Sequence, residues 1–122
     1  MKNQIVFFSI PTSDFDRAVK FYTNVFDCHI SVCPCEGSDE IMGMLDVEGT
    51  PGCIFYHEKF KPSADGTQVS FTVPDMDATL RKAEANGGKA VWGKTKIEVE
   101  GQGYCGLMLD SEGNSIGLHS NS

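Results

Sequence analysis

The chain has 122 residues, a formal net charge of −7, 40% hydrophobic residues and 22% charged residues. This length supports one hydrophobic core and excludes two independent domains. The acidic balance argues against a nucleic-acid partner and against an anionic membrane, because phosphate groups would be repelled. No apolar run is long enough for a membrane span or an export signal, so a cytoplasmic location is expected.

The first predicted element is a short apolar strand that ends at Pro11, since proline cannot donate to a strand ladder. Ser13 or Asp14 then provides the N-cap of a helix. Apolar residues recur at helical spacing from Phe15 to Phe26, which predicts one amphipathic helix. Three shorter strands are predicted after this helix, at residues 28–32, 41–47 and 52–57.

The second half of the chain repeats this pattern. An apolar run at residues 69–73 precedes Pro74, Asp75 is the predicted N-cap, and the helix stops at Asn86-Gly87-Gly88. Further strands are predicted at residues 90–92 leading into 96–99, then at 104–109 and 115–119. Each half therefore reads as β-α-β-β-β, which predicts one domain over residues 1–122, with module 1 at about 1–60, a linker at 61–66 and module 2 at about 67–122.

One such module would leave a sheet face uncovered, whereas two can complete each other. The prediction is an α+β fold in which the two βαβββ modules form one curved mixed sheet with helices on its convex side. The concave side is then a cup, which is a common place for a ligand.

This repeat resembles one group of proteins closely, together with Lys20-Phe21-Tyr22 in the first helix and the turn Asp110-Ser111-Glu112-Gly113-Asn114. It is similar to the vicinal oxygen chelate superfamily, which contains glyoxalase I, bleomycin-resistance proteins and extradiol dioxygenases, and it looks most like small bacterial glyoxalase-like proteins. The resemblance covers nearly the whole chain. It implies the fold and the cup, and it does not imply one reaction.

The resemblance also implies where a metal would bind, namely on the first and last strands of each module. On the first strands, counting back from the helix caps places the expected ligand positions at Phe7 and Val69. On the last strands, they fall at Gly117 in module 2 and at Cys53 or Phe55 in module 1. Phe7, Val69 and Gly117 have no side chain that can bind a divalent metal. We therefore assign no metal ligand and predict no cofactor, with a divalent metal left as an alternative.

The first functional hypothesis is a small-molecule-binding protein of the bleomycin-resistance type, working as a homodimer without the usual metal. Its cup would be apolar and aromatic, with two histidines near the mouth. The predicted ligand-binding residues are Phe7, Ser9, Phe55, His57, Val69, Phe71, Gly117 and His119.

A second hypothesis is a metal-dependent lyase, isomerase or dioxygenase that uses His57, His119 and a carboxylate such as Glu58. Strand parity would place both histidines on the cup face, and two histidines with a carboxylate form a known metal arrangement. Alternatively, both histidines are solvated residues at strand ends. A third hypothesis is a subunit that contributes a module to a partner.

The five cysteines are an odd number with no disulfide spacing, so reduced thiols are expected. Cys33-Pro34-Cys35 is either a strand that breaks at Pro34 or a redox or metal pair. Cys53 and Cys105 are expected to be small core residues. The turn at residues 110–114 lacks the other ligands of a calcium loop, so a simple hairpin turn is favoured.

Overall fold

The computed structural model describes residues 2–122 of the chain. It contains two helices and eight strands, arranged as βαβββ followed by βαβββ, which confirms the predicted repeat and the α+β class. The elements are β1 (Phe8–Pro11), α1 (Phe15–Phe26), β2 (Ile30–Pro34), β3 (Ile41–Leu45), β4 (Gly52–Tyr56), β5 (Val69–Thr72), α2 (Met76–Ala85), β6 (Lys89–Lys96), β7 (Tyr104–Leu109) and β8 (Ser115–Ser120).

Both helices begin in the same way. The Asp14 side chain accepts a hydrogen bond from the backbone N–H of Arg17 at 3.1 Å, and the Asp75 side chain accepts one from Ala78 at the same distance. Each cap satisfies an N–H that the first helical turn leaves without a partner. The predicted caps are therefore correct, and they fix equivalent points in the two modules.

The strands form two separate four-stranded sheets, in the orders β1-β4-β3-β2 and β5-β8-β7-β6. This corrects the prediction of one continuous sheet. β1 and β5 are both edge strands, and each pairs in parallel only with the last strand of its own module. Aromatic side chains meet at this seam instead of a backbone ladder, with the Phe8 and Phe71 ring centroids 5.9 Å apart.

The parallel ladders show which residues of the two modules are equivalent. The N–H of Thr12 donates to the Phe55 carbonyl at 2.8 Å, and the N–H of Val73 donates to the His119 carbonyl at 2.7 Å. Thr12 and Val73 each precede their helix cap by two residues. The sequence pattern matched Pro11 with Pro74, but the ladders show that these two prolines are not equivalent.

Strand β6 differs from its prediction. It is one strand from Lys89 to Lys96, where the sequence predicted two runs at 90–92 and 96–99. Its pairing with β7 shifts register between Ala90 and Trp92 and again between Trp92 and Thr95. These bulges interrupt the alternation of side chains, which is why the pattern looked like two strands.

One hydrophobic core serves both modules. It combines the apolar faces of α1 and α2 with one face of each sheet, and its largest fully buried side chains include Tyr22, Phe21 and Ile54. The opposite face of each sheet, called here the open face, has no helix over it. Within residues 2–122, neither helix has the length and apolar character needed to cross a membrane.

Candidate ligand cleft

A cleft of about 1320 Å³ lies along the free edges of β1 and β5. Its other walls are the end of α1, the exposed side of α2 and the turn that follows β3. Strand edges, a helix end and a turn from both modules converge there because the two sheets do not pair. Such a concave space between two modules is a usual location for a small-molecule site.

The inner wall of the cleft is aromatic. Phe71 lies between Phe8 and Phe26, with ring centroids 5.9 Å and 4.6 Å away respectively. Phe26 in turn stacks on Tyr22 at 5.7 Å. Phe7 adds a second aromatic surface at the mouth and is 42% exposed. The cleft can therefore bury a flat apolar ligand against fixed rings.

The outer part of the cleft is acidic. Asp27, Asp46, Glu48 and Asp75 all line it, whereas Lys82 is the one lysine or arginine among its lining residues. All five of these side chains are exposed. The resulting negative potential favours a cationic ligand and opposes an anionic one, although solvent and salt screen it.

Five of the eight predicted ligand-binding residues line this cleft, and three do not. The lining residues are Phe7, Ser9, Val69, Phe71 and His119, and the other three are Phe55, His57 and Gly117. Phe55 lies on the open face of its sheet, where its ring packs against that of Phe60, with the two ring centroids 5.7 Å apart.

Val69 and Phe71 reach the cleft from the helix side and not from the open face, which corrects the predicted arrangement. In the β5–β8 ladder the residue opposite Gly117 is Ser70, and opposite residues share a face. The error was one of counting. Phe7 lies seven residues before Asp14, whereas Val69 lies only six before Asp75, so the true counterpart of Phe7 is Gln68.

The equivalent positions on the first and last strands of the two modules are therefore Phe7, Cys53, Gln68 and Gly117. Phe7 and Gly117 offer no donor, and a Cβ added at Gly117 would collide with the Ser70 hydroxyl. Within residues 2–122, no three His, Cys, Asp or Glu side chains converge as a metal site. This donor set does not fit the metal tetrad that the resemblance implies.

Cys53 is also a poor metal ligand or nucleophile at neutral pH. Its side chain is 2% exposed, and its thiol lies 3.7 Å from the Ser9 hydroxyl. Burial raises the pKa of this thiol, and the hydrogen bond with Ser9 lowers it only in part. The neutral thiol is therefore favoured.

The two histidines of the metal hypothesis are each engaged within their own module. Nδ1 of His57 accepts from the Lys59 N–H at 3.1 Å, and its Nε2 lies 2.9 Å from Glu40. In His119, Nε2 donates to the Gln102 carbonyl and Nδ1 accepts from Thr72, both at 2.8 Å. Because a carbonyl only accepts, the proton of His119 lies on Nε2, and both ring nitrogens are occupied.

The turn at residues 110–114 has a role that the sequence did not reveal. Glu112 reaches across to the start of α1, where its carboxylate accepts from the N–H groups of Ser13 and Asp14 at 3.0 and 2.8 Å. Arg17 donates to both carboxylate oxygens, at 2.8 and 3.0 Å. Burial alone would raise the pKa of Glu112, but these bonds outweigh it and lower the pKa to about 2.

Asp110 makes a second contact across the modules. Tyr22 donates its hydroxyl to this buried carboxylate at 2.6 Å, and the N–H groups of Glu112 and Asn114 each donate to it at 2.9 Å. Burial and the adjacent negative charge raise the pKa of Tyr22 well above its ordinary value. The carboxylates of this turn are thus used in joining the modules, in agreement with a hairpin turn and not a calcium loop.

The comparisons with known proteins agree with this architecture. The profile of the Glyoxalase/Bleomycin resistance protein/Dioxygenase superfamily matches residues 4–118. Among solved structures, the fosfomycin resistance protein FosX from Listeria monocytogenes has a TM-score of 0.74 at 15% identity, covering 100% of this chain and 96% of FosX. TnmS3, an antibiotic binding protein from a Streptomyces species, has a TM-score of 0.69 at 19% identity, covering 99% of this chain and 98% of TnmS3.

A glyoxalase-related enzyme from Fulvimarina pelagi has a TM-score of 0.72 at 13% identity, with 98% of this chain and 89% of that chain covered. At these identities the structural likeness concerns the fold alone. A search of curated protein sequences finds no match. Because the profile spans nearly all of the sequence, the chain belongs to the Glyoxalase/Bleomycin resistance protein/Dioxygenase superfamily.

Proposed function

We propose that this protein binds a small organic molecule in the cleft and holds it non-covalently, without a metal tetrad. The observation that carries this proposal is the cleft itself, an open space of about 1320 Å³ with an aromatic inner wall. Its volume is of the order that small-molecule sites require, about 300–1,000 Å³, with room left for water.

The lining residues also favour one class of ligand. The Phe26 and Phe71 rings suit a planar aromatic group, while the carboxylates of Asp46 and Glu48 suit a positive charge at its periphery. We therefore propose an aromatic ligand that is neutral or cationic. An anionic ligand would meet four carboxylates and one lysine, which is unfavourable.

The metal-free part of the proposal is supported by the four equivalent strand positions, whose side chains do not form a metal-binding set. It is further supported by His57 and His119, whose ring nitrogens are already hydrogen-bonded. Sequestration of a small organic compound is the mode that such a site best supports, and TnmS3, which is similar in fold, is an antibiotic binding protein.

The first experiment is a thermal-shift screen of neutral, cationic and anionic aromatic compounds, followed by calorimetric titration of the best compound. Phe7→Ala is expected to weaken its binding about tenfold, because an aromatic contact at the mouth is lost. Phe60→Ala is the matched control, since Phe60 is also exposed but lies outside the cleft. Unchanged affinity in Phe7→Ala, or an equal loss in both variants, would contradict the assignment of the cleft.

The same titration is then repeated after dialysis against EDTA and after addition of Zn²⁺, Ni²⁺, Mn²⁺ or Fe²⁺. We expect an unchanged affinity in each case. Binding that appears only with a divalent metal would instead favour the metal-dependent enzyme. The expected homodimer stays a prediction, which sedimentation equilibrium with and without the ligand will test.

A further inference from the structure

Half of the sulfur-containing side chains of the sequence lie along one face of one sheet. The chain has 5 cysteines and 5 methionines. In module 1, Cys33 on β2 lies opposite Met42 on β3, and Met44 on β3 lies opposite Cys53 on β4. The N–H of Cys35 donates to the Glu40 carbonyl at 3.0 Å, so the β2–β3 pairing continues one residue beyond β2.

Opposite residues of paired strands share a face, as do residues two apart along a strand. These rules bring five side chains together on the open face of the module 1 sheet, which we call the sulfur face. It comprises Cys33, Cys35, Met42, Met44 and Cys53. None of the five lines the cleft, so this surface is separate from the proposed ligand site.

The accessible part of the sulfur face is at its outer edge. β2 is the edge strand of its sheet, and both Cys33 and Cys35 are exposed free thiols. Met42 is 37% exposed, whereas Cys53 is almost fully buried and hydrogen-bonded to Ser9. Two thiols and one thioether can therefore be reached from solvent within one neighbourhood.

We propose that Cys33, Cys35 and Met42 bind one soft monovalent metal ion, Cu(I). Thiolate and thioether sulfur are soft ligands, and Cu(I) is among the metals that they select. A Zn²⁺ site needs about four ligands from His, Cys, Asp and Glu, and residues 2–122 bring no three of these together. On binding, each ligating thiol releases its proton to the buffer, and copper remains Cu(I) with no electron transferred.

The test is an anaerobic titration of the reduced protein with Cu(I) against the coloured chelator bicinchoninate. The wild type is expected to withdraw about one Cu(I) per chain from the chelator. Cys33→Ser/Cys35→Ser is expected to withdraw none. Met42→Leu keeps the volume and apolar character of the side chain, and it is expected to weaken Cu(I) binding about tenfold.

Cys105→Ser is the matched control, because Cys105 is a free thiol on the sheet of module 2. It is expected to bind Cu(I) like the wild type. Retention of Cu(I) by Cys33→Ser/Cys35→Ser would overturn the site, and wild-type affinity in Met42→Leu would overturn the role of the thioether. Melting curves of the metal-free variants check that each one is folded.

Discussion

The turns at residues 46–51 and 110–114 occupy the same place in the two modules, between the last two strands. The residues of the second turn are buried or half-buried, and the turn contacts the start of α1 through Glu112 and the N–H groups of Ser13 and Asp14. The first turn is mostly exposed and faces the start of α2 across the cleft. The cleft therefore occupies the position where the corresponding contact of module 1 with α2 would be.

This difference shows how one repeated unit serves two purposes. In module 2 the turn carries Asp110 and Glu112, whose carboxylates satisfy donors from module 1. In module 1 the turn carries Asp46 and Glu48, which extend into solvent and line the cleft. The contacts of the turn at residues 110–114 with α1 hold the two modules together. The turn at residues 46–51 makes no such contact with α2, and this leaves the cleft open for a ligand.

The largest expected effect comes from breaking the buried contact. Asp110→Ala should lower the free energy of unfolding by about 3 kcal/mol or more, because the Tyr22 hydroxyl and two N–H groups lose their acceptor. Asp46→Ala, in the exposed turn, should change it by less than about 0.5 kcal/mol. Urea denaturation of both variants measures this, and equal losses would show that the two turns do not differ as described.

The second prediction concerns the stability of the fold at low pH. The pKa of Glu112 is about 2 in the folded protein against an ordinary value of 4.5, so its carboxylate stabilises the fold above pH 4.5. That contribution, about 1–3 kcal/mol because solvent screens the exposed Arg17 partner, should disappear as the pH falls towards 2. Glu112→Gln should be less stable at pH 7 and should lose less stability than the wild type between pH 4.5 and 2.

Glu48→Gln is the control for this prediction, since Glu48 lies in the exposed turn of module 1. It should retain the pH dependence of the wild type. Denaturation curves at intervals between pH 7 and pH 2 provide the measurement. A Glu112→Gln variant with an unchanged acid profile would mean that other carboxylates dominate the acid response.

The smallest expected effect concerns how side chains pack in the two parallel ladders, β1–β4 and β5–β8. Phe8 lies opposite Gly52 in module 1, where module 2 has Val69 opposite Ile116. A Cβ on Gly52 would collide with the Phe8 ring, so Gly52→Ala should cost about 1–3 kcal/mol. In Phe8→Val/Gly52→Ala the smaller side chain makes room, and the double variant should be about 1 kcal/mol more stable than the two single losses would sum to.

If the losses in free energy of unfolding are additive in this double-mutant cycle, the side chain of Phe8 and the glycine at position 52 are not complementary. Thermal unfolding of the wild type, the two single variants and the double variant is sufficient for the measurement. Phe8 also lines the cleft, so stability and not ligand binding is the quantity to compare.

Much of the fold could be predicted from the sequence, because local signals repeat in both halves. The caps Asp14 and Asp75 and the helical spacing after them are properties of short segments, and the structure confirms them. The bulges of β6 and the separation of the two sheets could not be predicted, since they depend on side chains that are distant in the sequence.

The candidate site was less predictable for the same reason. Parity along a strand indicates which residues share a face, but it requires a correct starting point. Matching Pro11 with Pro74 aligned the two modules incorrectly. Counting seven residues back from both Asp14 and Asp75 would have paired Phe7 with Gln68 instead of Val69. The acidic outer part of the cleft comes from a helix end, a turn and a second helix, which no local pattern joins.

The contact of Glu112 with the start of α1 also bears on how the chain folds. Its partners are separated by 95 to 99 positions along the chain. Contacts of such long range slow folding, because much of the chain must be ordered before they form. During synthesis, α1 leaves the ribosome long before Glu112, so the contacts of this carboxylate with the start of α1 form only after the last hairpin of module 2 has been made.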